Sequence, residues 1–308
     1  MLGNLRGLEA YYWAARLGGF GAAATHLGLT QPSISVRIKE LEREVGKKLF
    51  YRAGRNVRLT DAGVAMFDYV ERVLTVMHDL EGHVRRDGPL RGLVRMGVPD
   101  SFALLCLADF LKELDRQHPE LNVAVTVDNS RTLGQKLEEG TLDVAIMAQP
   151  QNSKMFRTEF FGSQIVSWVA GPAFRNFSKE LHPEDLVAQQ IVTNPSPSPT
   201  FSLIMDWFAE SKFVPTRLST CNSVAIIIGL VSAGAAISIL PVCIIEEHLR
   251  KGSLVALDFT PPLPKVDMFA AFPKTSMNRA IPEIVKLARK ILSNTGFVEV
   301  AESKRKSL

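Results

Sequence analysis

Gln31, Ser33, Ser35, Arg37 and Lys39 are spaced so that hydrogen-bonding and cationic side chains share the outer side of one helix. The opposite side is fixed by Ile34, Ile38, Leu41 and Val45, which recur at spacings of four, three and four and form a stripe for burial. Pro32 and Val36 join the outer group, and Val36 offers an apolar contact of the kind a thymine methyl accepts. Short polar and basic groups at the start of a helix suit readout of base edges in a DNA major groove. Arg52, Arg55 and Arg58 follow at three-residue intervals, offering cations to the flanking backbone or minor groove. Charge concentrates in the same region. Residues 1–60 hold ten Lys or Arg against four Glu, a net of +6, while the whole chain carries +4. Phosphate binding needs such a local field, and a merely solvated helical face does not.

The elements that must hold these groups are legible nearby. Residues 21–27 form a short apolar helix that Gly28 can end in the left-handed conformation. After the turn 28–30, Thr30 offers its hydroxyl to the free amides of the next helix, and Pro32 is tolerated in that first turn. The result is a helix–turn–helix followed by a basic wing.

The run Gly19-Phe20, Ala23-Ala24, Leu27, Thr30-Gln31-Pro32-Ser33, Ser35, Ile38, Leu41-Glu42, Gly46, Leu49-Phe50, Arg52 and Leu59-Thr60-Asp61-Ala62-Gly63 resembles the LysR-type transcriptional regulators. The resemblance implies a winged helix–turn–helix domain at 1–60 that binds double-stranded DNA at a pseudo-palindromic promoter site. Gln31, Pro32, Ser33, Ser35 and Arg37 would then approach bases or phosphates, with Arg52, Arg55 and Arg58 on the wing. Gly19 and Gly21 stand where the family usually has Ser or Thr, so a helix cap is expected to be missing there. The resemblance further implies a cytoplasmic regulator rather than an enzyme, with no cofactor but a small-molecule effector. It also implies assembly into a homotetramer as a dimer of dimers, and contact with RNA polymerase.

Thr60 can cap a long helix over 61–89, with Asp61 at its positive end. Met66, Val70, Val73, Met77, Leu80 and Val84 recur at four, three, four, three and four, the 3.5-residue period of a coiled-coil seam. A seam beside one DNA-reading unit predicts a dimer presenting two of them. The alternative is a helix packed on its own core. Beyond it, residues 90–295 alternate strand and helix. Strands at 93–98, 122–127 and 142–147 enclose helices at 101–117 and 133–139, a βαβαβ order that predicts a parallel sheet with helices on both faces. A second lobe starts with a strand at 160–169, and the segments 267–272 and 281–292 return to the first. The two crossings are expected at 150–153 and 260–265, giving lobe I about 90–150 and 266–295, and lobe II about 151–265. The expected fold is α/β with an N-terminal all-α winged helix–turn–helix, and its regulatory part resembles two Rossmann-like lobes of the periplasmic-binding-protein type II kind. Residues 296–308 read as a polar, disordered tail.

Small molecules bind open parallel sheets at the carboxyl ends of strands, near helix starts. Those ends supply Asp100, Ser101, Asn129, Ser130, Arg131 and Gln149 from one lobe, and Thr193, Asn194, Asn222 and Ser223 from the other. Ser101, Ser130 and Ser223 could equally be helix caps. A small polar metabolite is expected, a carboxylate slightly ahead of an amine or zwitterion, although Asp100 would repel an anion. No His-Glu-x-x-His, Cys-x-x-Cys, phosphate-loop or Gly-x-Ser-x-Gly motif occurs, so neither metal nor nucleophile chemistry is expected. Cys106, Cys221 and Cys243 are few and odd in number, as in a reduced cytosolic protein. Residues 1–6 show no basic stretch leading into an apolar run, so no secretion signal is expected. The uncharged run 218–245 is long enough to span a bilayer, but its polar residues, Gly229, Gly234 and Pro241 favour a buried helix and strand.

Overall fold

A computed structural model describes residues 4–53, 56–84, 89–150, 155–176, 180–276 and 278–299. The chain divides into two compact units, one of residues 1–88 with 277–279 and one of residues 89–276 with 280–308.

The first unit begins where Asn4 accepts a hydrogen bond from Gly7 N at 2.9 Å and so caps α1 (Leu5–Arg16). It continues with α2 (Phe20–His26), α3 (Gln31–Val45), the hairpin strands β1 (Phe50–Ala53) and β2 (Asn56–Leu59), and α4 (Asp61–Val84). α1 has no counterpart in the sequence reading, yet its Tyr11, with Ile34, Ile38, Leu41 and Leu49, forms the centre of the core. Gly28 and Gly46 adopt the left-handed conformation after α2 and α3, with φ of 63° and 73°. Thr30 caps α3 as expected, accepting from Ser33 N at 3.4 Å.

Two contacts set the wing against the helices. Glu42 is buried in α3, where its carboxylate accepts from Lys48 Nζ at 2.7 Å and from the amides of Leu49 and Phe50 at 2.9 and 3.4 Å. Thr60 donates to the Lys48 carbonyl at 2.7 Å and accepts from Gly63 N at 3.0 Å, so one side chain both holds the wing and caps α4. A side chain at Gly63 would collide with the Leu49 carbonyl, so this approach requires glycine.

The seam expected on α4 needs correction. Val70 is 3 % exposed within the core of its own unit, and Met66 and Val73 pack against the same core. Among the described side chains of this helix, Val64, Tyr69 and Val76 are the large apolar ones that are exposed. A 3.5-residue period fits a stripe buried on the unit's own core as well as one facing a partner. Met77 is half-buried, and the side chains of Leu80 and Val84 lie outside the described residues.

The second unit runs β3 (Gly92–Val98), α5 (Asp100–Leu105), α6 (Leu107–Gln117), β4 (Leu121–Val127), α7 (Ser130–Glu138), β5 (Val144–Ala148), β6 (Phe156–Gln164), β7 (Val166–Ala170), α8 (Pro183–Leu186), β8 (Ile191–Thr193), α9 (Pro199–Glu210), β9 (Leu218–Thr220), α10 (Val224–Ser232), β10 (Ser238–Pro241), α11 (Val242–Lys251), β11 (Val255–Ala256), β12 (Val266–Pro273) and α12 (Ala280–Asn294). Lobe I holds a sheet of order β4-β3-β5-β12-β6, parallel across its first three strands and antiparallel at β12 and β6. Lobe II holds the antiparallel set β10-β7-β11 and the parallel pair β8-β9.

Three boundaries differ from the sequence reading. The strand expected at 160–169 is two strands in different lobes, so the first crossing lies at Ile165 and lobe II begins there rather than at 151. β7 is largely buried, whereas β6 buries Phe156, Phe161, Gly162 and Gln164, and a single residue, Ile165, separates the two without a proline or a loop to mark the break. The helix expected at 101–117 is interrupted at Cys106. In the tail, Phe297 and Val298 are buried and Glu299 pairs with Ser163, while 300–308 lie outside the described residues. The uncharged run 218–245 is divided among β9, α10, β10 and α11, and no described helix is long and apolar enough to cross a membrane.

Burial would push the Glu42 carboxyl up, but Lys48 and the Leu49 and Phe50 amides outweigh it and hold it below the ordinary value. Its stabilisation is therefore present above the unfolded-chain value of about 4.3 and is lost as pH falls through the lower folded one. Glu42→Ala is expected to lower stability at pH 7 by about 1–3 kcal/mol, since it leaves buried amides unpaired. Denaturant unfolding of the full chain at several pH values should show the gap to wild type narrowing below about pH 4.

Candidate functional site

Each unit assembles one candidate site. In the first, α3 presents Gln31, Pro32 and Lys39 to solvent, with Ser33, Ser35 and Arg37 half-exposed. Val36 is 53 % exposed, an apolar spot amid these polar groups. Ser33 Oγ lies 2.8 Å from Thr30 Oγ1, so the capping pair also fixes one outward hydroxyl. Arg37, Lys39 and Arg58 form no ion pair among the described residues, which leaves their charge for an external anion. Arg58 is exposed on β2. Arg52 lies on β1 with its side chain outside the described residues, as is Arg55 altogether. Tyr51, which the sequence reading missed, is 60 % exposed and directly opposite Arg58 in the hairpin register. Residues facing each other across a hairpin share a face, so wing alternation could have found it. Gly19 precedes α2 without any side-chain cap, as its residue type predicts.

In the second unit the carboxyl ends of β3, β4, β5 and β8 surround a cavity of about 290 Å³ between the two lobes. Asp100, Ser101, Asn129, Ser130, Asn194 and Asn222 line it, as strand-end reasoning predicts. The other four expected residues do not. Arg131 and Gln149 line an adjoining cavity of about 590 Å³, which shares Ser130, Ala148, Ser198, Pro199 and Val266 with the first. Thr193 is buried with its hydroxyl unpartnered, and Ser223 precedes α10 outside the lining. Adjacent residues diverge on a helix and alternate across a strand, so one position decides which space a side chain enters.

The helix starts around the cavity are capped differently from the expectation. Asn129, not Ser130, caps α7, accepting from Thr132 N at 3.0 Å. Ser130 Oγ accepts from Ala148 N at 3.0 Å and so ties α7 to β5. Ser198 caps α9, accepting from Phe201 N at 3.1 Å. Asp100 reaches from lobe I to lobe II, where its Oδ2 accepts from Val224 N at the start of α10 at 2.5 Å. Gln164, also missed, is the last residue of β6 and lines the cavity while only 4 % exposed. Reading the break between β6 and β7 would have placed it at the crossing. Burial pushes the Cys106 and Cys243 thiols up to about 11, so neither of these two offers a thiolate at neutral pH. Among the described residues no group of His, Cys, Asp and Glu could hold a metal ion.

Comparison with known proteins bears on both sites. A family model described as "Bacterial regulatory helix-turn-helix protein, lysR family" matches residues 5–64, and one described as "LysR substrate binding domain" matches 87–292. The chain is 25 % identical over 301 residues to the HTH-type transcriptional regulator BenM of Acinetobacter baylyi, covering 96 % of this chain and 98 % of that one. Among solved structures it is similar to a Corynebacterium glutamicum OxyR C206 mutant, with a TM-score of 0.70, 21 % identity and 96 % of each chain covered. It is also similar to full-length CbnR complexed with its target DNA, with a TM-score of 0.62, 20 % identity, and 93 % of this chain and 99 % of that one covered.

The caps around the cavity can be told apart by stability. Asn129→Ala removes a helix cap and is expected to lower stability by about 0.5–2 kcal/mol. Ser130→Ala leaves the buried Ala148 amide without its partner, at a cost of about 1–3 kcal/mol. Urea unfolding of both full-length variants should therefore rank Ser130→Ala as at least as damaging, with α7 helicity retained.

Proposed function

Because this chain belongs to the LysR family of bacterial regulatory helix-turn-helix proteins, we propose that occupancy of the cavity between its lobes controls how its winged helix–turn–helix engages a two-fold promoter site. It is a DNA-binding transcriptional regulator with an effector-binding domain. The observation that carries the reading is the outward side of α3, where polar and basic groups stand on a well-packed helix and Arg37 and Lys39 form no ion pair among the described residues. The solved complex of the similar CbnR with its target DNA supports the same use of this unit. A ligand that binds two arrangements of the lobes unequally shifts their populations, and that differential affinity is the signal. Action in the cytosol, a homotetramer built from dimers, and contact with RNA polymerase complete the proposal. A role as a ligand-binding protein or enzyme with an unrelated basic module is disfavoured by the family match to the first unit.

For self-association we assign the exposed side of α4, Tyr69 and Val76, instead of Val70 and its neighbours. Val76→Asp should leave the full chain folded but shift it to monomers in light scattering. Val70→Asp buries a carboxylate in the unit's own core and should unfold that unit instead, as circular dichroism would show.

The roles on the DNA face separate by specificity and salt. Arg37→Ala should weaken binding to the specific site by about 1–3 kcal/mol if its guanidinium reads a base. Arg58→Ala should weaken all sequences alike and flatten the salt dependence by about one unit. Mobility shifts on operator and random DNA over a salt series measure both, and identical behaviour of the two variants would sink the assignment.

A further inference from the structure

The cavity assigned to the effector is acidic. Its charged side chains are Asp100 and Asp128, and no Lys, Arg or His lines it. The two carboxylates are not equivalent. Asp128 is balanced at the rim, with Oδ2 at 3.5 Å from Lys136 Nζ and Oδ1 accepting from Asn129 N at 2.9 Å. Asp100 forms no ion pair among the described residues, where its hydrogen-bond partner is one backbone amide, Val224 N. Beside it Ser101, 9 % exposed, lines the cavity with a hydroxyl that has no hydrogen bond among the described residues.

Helix amino termini attract anions, and several helices begin here. One free amide is engaged by Asn129 at α7, by Ser198 at α9 and by Asp100 at α10, while α5, whose start has no side-chain cap, carries the Asp100 carboxylate as its own first residue. A helix end amounts to about half a charge, against the whole charge of a carboxylate. An anionic ligand would have to displace Asp100 or lie beside it uncompensated. The rest of the wall is largely apolar, with Val127, Val166, Val224, Leu240, Val266 and Met268. The volume, about 290 Å³, is at the small end for ligand sites.

We propose that the effector is a small organic amine, protonated at neutral pH, whose ammonium pairs with Asp100 and donates to Ser101 while its hydrocarbon part lies on the apolar wall. This deepens the effector-site reading and rests on it, and it makes Asp100 the residue that selects ligand charge.

The test uses the full-length protein with matched probes, benzylamine against benzoate and n-butylamine against butyrate, by thermal shift and calorimetric titration at pH 7.5. The amines should bind about tenfold or more tightly than the acids of equal shape. Asp100→Asn keeps an acceptor for Val224 N and should lose that preference, whereas Asp128→Asn should keep it. Acids binding as well as amines, or binding by neither series, overturns the proposal. Asn222→Trp, at the exposed rim of the cavity, separates its failure from that of the site. Acid binding abolished by Asn222→Trp leaves the effector cavity standing with the opposite charge preference. Amine binding that ignores both Asn222→Trp and Asp100→Asn lies elsewhere and overturns both readings.

Discussion

The hydrogen bond from Val224 N to Asp100 Oδ2 is the polar contact on which the regulatory cavity turns. It joins the first residue of a lobe I helix to the first residue of a lobe II helix, so it sets the relation of the two walls. A helix start buried without a partner is costly, and here the partner comes from the other lobe. The first unit uses the same chemistry in a closed form. Glu42 accepts two backbone amides and a lysine, so its charge is fully spent on holding the wing to α3. Asp100 accepts one amide and no cation among the described residues, so it holds structure and still carries a charge into the cavity. A carboxylate that braces one site can thus remain available in the other.

Packing limits how far the lobes can respond. One continuous apolar cluster includes Met96, Phe102 and Ile146 of lobe I together with Trp168, Trp207 and Phe208 of lobe II. Trp207 also donates to the Pro261 carbonyl at 2.7 Å, next to the second crossing. Interiors packed to this degree switch between discrete arrangements instead of deforming smoothly. Ligand energy would therefore be felt as a repacking along the shared cluster and not as the swing of a free hinge.

Much of this was legible in the sequence, because local rules and tertiary needs agreed there. Gly28, Thr30 and Pro32 fix the turn and the start of α3 by backbone chemistry alone, and six cavity residues followed from strand ends. The misses arise where local pattern does not determine tertiary placement. α1 places Tyr11 and Tyr12 side by side in the core, which blurs any single stripe. β6 and β7 adjoin with one residue between them, and no proline or loop signals that they belong to different sheets. On α4, periodicity identified the buried stripe but could not say whose core would bury it. Cap identity was off by one at Asn129, which takes the Thr132 amide while its neighbour Ser130 takes the Ala148 amide of β5.

The position of the first crossing has a consequence for how such a sensor changes over time. Gln164 and Val266 are partners on adjacent strands, so the chain leaves lobe I and re-enters it at neighbouring points. Lobe II is thereby an insert, 165–265, whose ends are already side by side in a sheet it does not help to build. Termini that lie close together are what make a segment exchangeable between chains. A replacement of that insert would exchange the wall that carries Asn194 and Asn222 while the wall of Asp100, Ser101 and Ser130 stayed in place. Recombination within a gene could then revise what the cavity encloses and leave unaltered the residue that reads the ligand's charge.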